Sequence, residues 1–194
     1  MISLDQIKEL RDKTGISIMQ CRKALEDAGG DMAKAIVILQ KKGAEIAEKK
    51  SDRALGAGII ASYIHSTATT GAMLELWCET DFVSKNDDFK TLARDIAMHI
   101  VATNPEFVEE SDISEEVKEK AKEVFAKEVE GKPENMKEQI LAGKLSAYFS
   151  DKVLMEQPFI KNPDMTIRAM LQNATQKFGE KVQIGRFVRF STIK

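Results

Sequence analysis

Seven residues, Glu79-Thr80-Asp81-Phe82-Val83-Ser84-Lys85, separate two different periodicities and limit what this chain can become. Before them, Met73 to Cys78 reads as an apolar alternating strand. After them a helix opens near Asn86-Asp87, with Phe89, Leu92, Ala93, Ile96 and Ile100 on one face. The seven residues are therefore a short strand-to-helix connection, and such connections sit at the surface. Yet the centre is an acid followed at once by two large apolar side chains. Solvent gains nothing from an exposed Phe-Val pair, so something must cover it. On the residues alone, the ordinary reading is that Phe82 and Val83 tuck under the new helix as core. The alternative is that Asp81 and Phe82 protrude and enter another protein.

The strand before the turn has a partner. Ile59 to His65 alternates, with Ile60, Ser62 and Ile64 on one side and Ile59, Ala61, Tyr63 and His65 on the other. Ser66 to Gly71 is turn material, and the returning strand places Ala72, Leu74, Leu76 and Cys78 on one face and Met73, Glu75 and Trp77 on the other. The two strands make a hairpin. Lys181 to Thr192 is β-rich and supplies a third strand, with Gly185 marking a bulge. Three strands leave an open edge that must be covered or paired, and homodimerisation is one solution.

The first fifty residues read as helices punctuated by glycine. Ser3 to Gln6 is a capping box, with Leu4, Ile7 and Leu10 sharing a face until Thr14-Gly15. Ser17 to Gln20 is a second capping box, followed by an inward stripe of Ile18, Cys21, Leu25 and Ala28. After Gly29-Gly30, Asp31 caps a third helix lined by Ala35, Ile36 and Leu39, which stops at Gly43. So small a bundle is marginally stable. Ala44 to Ala54 is rich in Ala, Glu and Lys and reads as a charged, partly helical connector. The expected organisation is α+β. A three-helix bundle (1–43) and a linker (44–55) precede a core domain (56–194) of antiparallel three-stranded sheet packed with helices.

Between turn and last strand, Ser114 caps a helix carrying Val117, Ala121, Val124 and Phe125, stopped by Gly131-Lys132-Pro133. Glu134 to Phe149 is helical but interrupted at Gly143. Leu154 to Phe159 is irregular because of Pro158, and Thr166 caps a last helix with Ile167, Met170, Leu171 and Ala174 inward. His99 reads as a satisfied core residue. The composition, 43% hydrophobic and 31% charged, supports a core with a soluble surface. A net charge of −2 leaves no global field toward nucleic acid or membrane. Locally, residues 106–138 carry −6 and residues 139–194 carry +5, so pairing within the chain or across a dimer is open beside simple solvated faces. Cys21 and Cys78 make no disulfide framework and are expected reduced in a cytoplasmic protein. No apolar run suits a membrane span, and Met1-Ile2-Ser3-Leu4-Asp5 does not read as a signal peptide.

Glu75 to Lys85 resembles the signature of translation elongation factor Ts, the exchange factor for the GTPase elongation factor Tu. Leu10-Arg11-Asp12-Lys13-Thr14-Gly15 and Cys21-Arg22-Lys23-Ala24-Leu25 are similar to the family's first signature. Leu154 to Phe159 and Arg186 to Phe190 are similar to later stretches, so the likeness spans nearly the whole chain. Gln20 stands where the family usually has Asp, Arg22 where it has Lys, and Trp77 where it has a smaller residue. The resemblance implies that the bundle is similar to ubiquitin-associated domains and grips the GTPase through Arg11, Ile18 and Met19. It implies that Phe82 is a wedge near the partner's magnesium site, that Asp81 competes for polar partners there, and that Thr80 and Val83 hold the turn. It also implies self-association in short family members.

No Gly-rich phosphate loop and no His/Cys metal cluster is present in the sequence, so no cofactor, metal, direct nucleotide binding or covalent chemistry is expected. Two competitors stand beside the exchange factor. One is an adaptor whose bundle recognises ubiquitin-like or ribosomal proteins. The other is a thiol enzyme pairing Cys78 with His65, although Cys78 points to the expected core face.

Overall fold

The computed structural model describes residues 2–129 and 133–193. The chain opens with α1 (Leu4–Thr14), α2 (Ile18–Asp27) and α3 (Met32–Lys49). Ser3 and Gln6 form the reciprocal box expected of them, and Gly15 closes α1 with φ of 69°. Ile7, Leu10, Ile16, Cys21, Ala24, Leu25, Ala35 and Leu39 form a core of their own. Three expectations change here. Leu4 and Ile18 are exposed rather than inward, and Ile16, in the turn, is the buried side chain instead. Ser17 caps α2 by accepting from Gln20 N–H. The Gln20 side chain does not reach back, because its Oε1 accepts from Gln176 Nε2 at 2.5 Å. Finally, α3 does not stop at Gly43 but runs on to Lys49. Gly43 is buried against the last helix, where an added Cβ would stand 3.2 Å from Gln176 Oε1. Its missing side chain serves close helix packing, not termination.

Next come β1 (Ala57–Ile64), β2 (Thr70–Cys78), a one-turn helix α4 (Asp81–Ser84) and α5 (Asp87–Thr103). Beyond these lie α6 (Glu115–Val129), α7 (Glu134–Ser150), β3 (Pro158–Phe159), β4 (Asn162–Thr166), α8 (Ile167–Phe178) and β5 (Gln183–Ser191). The architecture is α+β. The sheet is antiparallel in the order β1-β2-β5. Leu74 faces Phe187 and Leu76 faces Ile184, so β5 carries an extra residue at Gly185. A Cβ there would stand well inside contact distance of the Trp77 indole nitrogen, so any larger residue would have to push that ring and the Glu75 carboxylate aside. The inner face, with Ala72, Leu74, Leu76 and Cys78, packs on Phe89, Ala93, Ile96, Ala97 and Ile100 of α5 and on Ile167, Leu171 and Ala174 of α8.

Pro158 does not leave an irregular segment: β3 and β4 form a small hairpin. Buried His99 fastens it to α5. Its Nδ1 accepts from Ile160 N–H, so Nε2 donates to Gln157 Oε1 at 2.9 Å, and burial pushes its pKa down. α7 continues through Gly143, an exposed position where glycine costs roughly 1 kcal/mol without breaking a helix. The expected stop at Gly131-Lys132 lies outside the described residues. The charge asymmetry is met partly within the chain, by Lys144–Glu128, Lys152–Glu106 and Arg168–Glu109.

Candidate functional site

The turn after β2 is a single helical turn. Cys78 ends the strand in the core and donates its Sγ–H to Thr80 O at 3.2 Å, and burial pushes its thiol pKa up. Thr80 then adopts extended backbone and begins α4, but its side chain makes no cap. It donates outward instead: Oγ1 to Glu180 Oε1 at 2.6 Å and N–H to Glu180 Oε2 at 3.0 Å. Glu79 makes the converse contact, accepting Lys181 N–H at 2.6 Å and Arg53 Nη1 at 3.1 Å. The Lys181 amide, aided by Arg53, holds the Glu79 carboxyl below the usual range.

Neighbouring residues of a helical turn point about 100° apart, so one can face inward while the next faces water. The Phe-Val pair divides in this way. Val83 is 4% exposed and packs in the main core, whereas Phe82 is 81% exposed. Val83 is therefore core, as the ordinary reading has it, while Phe82 protrudes and does not tuck under the helix. Asp81 pairs with Lys85 at 2.5 Å, both side chains being largely in water, and the lysine lowers its pKa. Such an exposed pair contributes little and is free to exchange for another partner.

The second candidate region is the corner between α1 and α2. Arg11 lies exposed in the last turn of α1, while Ile18 and Met19 open α2 with exposures of 47% and 74%. The structure thus gathers Thr80, Asp81, Phe82 and Val83 on one turn. It gathers Arg11, Ile18 and Met19 at another, each group on its own hydrophobic cluster. The thiol reading fails. Ala57 is the register partner of Cys78, and His65 follows Ile64 at the far end of that strand. Eight residues of strand, about 26 Å, separate the two groups. His65 hydrogen-bonds Thr67 Oγ1 at 3.0 Å. Among the described residues no cluster of three or more His, Cys, Asp or Glu could hold a metal ion, and no helix is long and apolar enough to cross a membrane. Sequence reasoning missed Glu180. It lies a hundred positions from Thr80, and no local pattern marks it.

The family model described as Elongation factor TS matches residues 37–193. The chain belongs to the elongation factor Ts family. A relative named elongation factor Ts from Thermodesulfovibrio yellowstonii is 48% identical over 190 residues, 97% of this chain and 95% of the relative. Those from Carboxydothermus hydrogenoformans (47% over 192 residues, covering 98% and 88%) and Thermosipho melanesiensis (44% over 193 residues, covering 98% and 98%) bear the same name. These matches extend the likeness over the N-terminal bundle. Membership in the elongation factor Ts family makes translation elongation, and so protein biosynthesis, the process in which this chain takes part.

Proposed function

We propose that this chain is a cytoplasmic guanine-nucleotide exchange factor that binds elongation factor Tu·GDP, disturbs its magnesium and phosphate site, and promotes GDP release without covalent chemistry of its own. The observation that carries the reading is Phe82: a large ring 81% exposed on a turn whose neighbour Val83 is sealed in the core. A GTPase grips its nucleotide through backbone amides, a lysine and magnesium. An exchange factor must bind the nucleotide-free form better than the loaded one, because only differential affinity shifts an equilibrium. Lodging Phe82 between elements of the partner supplies that difference, since burying a Phe contributes about 1.5–3 kcal/mol. Asp81 exchanges Lys85 for polar groups of the partner. Arg11, Ile18 and Met19 provide a second grip that keeps the ring at high effective concentration.

The test is stopped-flow release of labelled GDP from elongation factor Tu. Wild type accelerates release, and Phe82→Ala slows the accelerated reaction roughly ten- to hundredfold with the fold intact. Full activity in that variant would refute the role. The adaptor alternative predicts no acceleration by wild type at all.

A second observation supports self-association. Ile60, Ile64, Met73, Val188 and Phe190 all stand exposed on the outer face of the sheet. A homodimer that stacks two such faces covers them. Sedimentation at micromolar concentration should give a dimer that Met73→Lys dissociates; a wild-type monomer throughout would end this reading.

A further inference from the structure

The geometry points to Glu180 as a positioning residue for Phe82: its carboxylate, reaching over from the loop between α8 and β5, clamps Thr80, the residue from which the turn starts, and so aims the ring. The inference rests on the exchange reading above. A four-residue helix does not hold itself together, and its first amides lack intrahelical partners. Thr80 offers no side-chain cap to α4. Glu180 engages both Thr80 Oγ1 and Thr80 N–H, while Glu79 takes the N–H of Lys181. Residues 79–80 and 180–181 are thus cross-linked in both directions, with carboxylates as acceptors, the stronger class of hydrogen bond. The same loop is tied to the end of α3. Lys50 Nζ donates to Gly179 O at 2.7 Å, and Lys181 Nζ donates to Ser51 O at 2.5 Å. One loop therefore references the Phe82 turn to the helix that leaves the N-terminal bundle.

Removing the Glu180 carboxylate leaves Val83 buried, so the turn persists but its direction is no longer set. Affinity through the bundle is retained, and the loss falls on the step in which the ring must be correctly placed. With Glu180→Ala, the maximal rate of GDP release from elongation factor Tu falls about tenfold. The concentration giving half that rate and the midpoint of thermal unfolding stay near wild type. Glu180→Gln, which keeps one acceptor oxygen, recovers part of the rate, and Glu180→Asp, a methylene shorter, does not. The pair Glu180→Ala with Thr80→Val is no slower than Glu180→Ala alone, because the hydroxyl contact that Thr80→Val removes is already lost with the carboxylate. A Glu180→Ala maximal rate equal to wild type overturns the proposal. So do additive losses in the double variant, which would assign Glu180 a direct contact with the partner. If wild type itself fails to speed release, the exchange reading falls. Amide exchange at Thr80 in the isolated chain then still decides the clamp: faster exchange in Glu180→Ala upholds it, and unchanged protection ends it.

Discussion

In the corner between α1 and α2, Ile16 is buried while Ile18 and Met19 are exposed; in the Asp81–Ser84 turn, Val83 is buried while its immediate neighbour Phe82 is exposed. Both regions pin a short segment by one apolar anchor and present the next apolar side chain to water. They differ in what supports the anchor. The corner is held largely by nearby residues: Thr14 Oγ1 donates to Leu10 O at 2.7 Å, Ser17 caps Gln20, and Cys21 Sγ donates to Ile16 O. The turn is held by carboxylates whose partners lie a hundred positions away. A locally supported corner with a flexible thioether suits an adaptable grip. A turn fixed by distant segments with a stiff ring suits a wedge.

The largest effect expected is on the anchors. Ile16→Ala should lower stability by about 2–5 kcal/mol, as for other buried large-to-small changes, whereas Ile18→Ala should stay within about 0.5 kcal/mol. Urea unfolding followed by circular dichroism measures both, and equal losses would erase the contrast between inner and outer residues. Phe82→Leu comes next. It keeps an apolar side chain but loses the ring, and the accelerated GDP release should slow roughly three- to tenfold, about 1 kcal/mol. Its melting temperature should not move; a large drop would mean that the ring supports the chain's own fold. Met19→Ala should weaken binding to elongation factor Tu about fivefold, near 1 kcal/mol, with the saturating release rate unchanged. Met19→Leu should recover most of it. Calorimetric titration reads the first quantity and stopped flow the second, and a fall in the saturating rate would make the corner part of the wedge.

The smallest effect is one of pH. The Lys181 amide depresses the Glu79 carboxyl in the folded chain. A depressed acid contributes stability above its unfolded pKa and loses it as pH falls through the folded value. Protection of the Lys181 amide should therefore decline below about pH 4, and Glu79→Gln should flatten that dependence. The corner has no equivalent carboxylate clamp, so the Gly15 and Cys21 amides should show no matching step in hydrogen exchange. A step of equal size there would remove the distinction.

Much of this molecule is written in periods and punctuation. The box at Ser3-Gln6, the caps at Asp31, Asn86 and Thr166, and the glycine closing α8 are short-range chemistry, and they stand where the residue types place them. The alternation from Ala72 to Cys78 correctly separated inner from outer face, because in a strand adjacent side chains must diverge. Gly185 likewise marked the bulge. The failures share a cause. Gly43 and Gly143 looked like helix stops, yet one lets α8 approach and the other is tolerated in an exposed helix. Ile18 looked inward because the period alone does not reveal that Ile16, outside the helix, already fills the space.

The order of elements, the hairpin, the third strand and the position of an apolar pair between strand and helix follow from the chain's own letters, since local geometry and burial of one face leave few other arrangements. Which member of that pair goes inside, and what holds it there, was decided only when β1, α5 and the loop at Glu180 converged on the turn. Those contacts join residues far apart in sequence, and local periodicity carries no record of them.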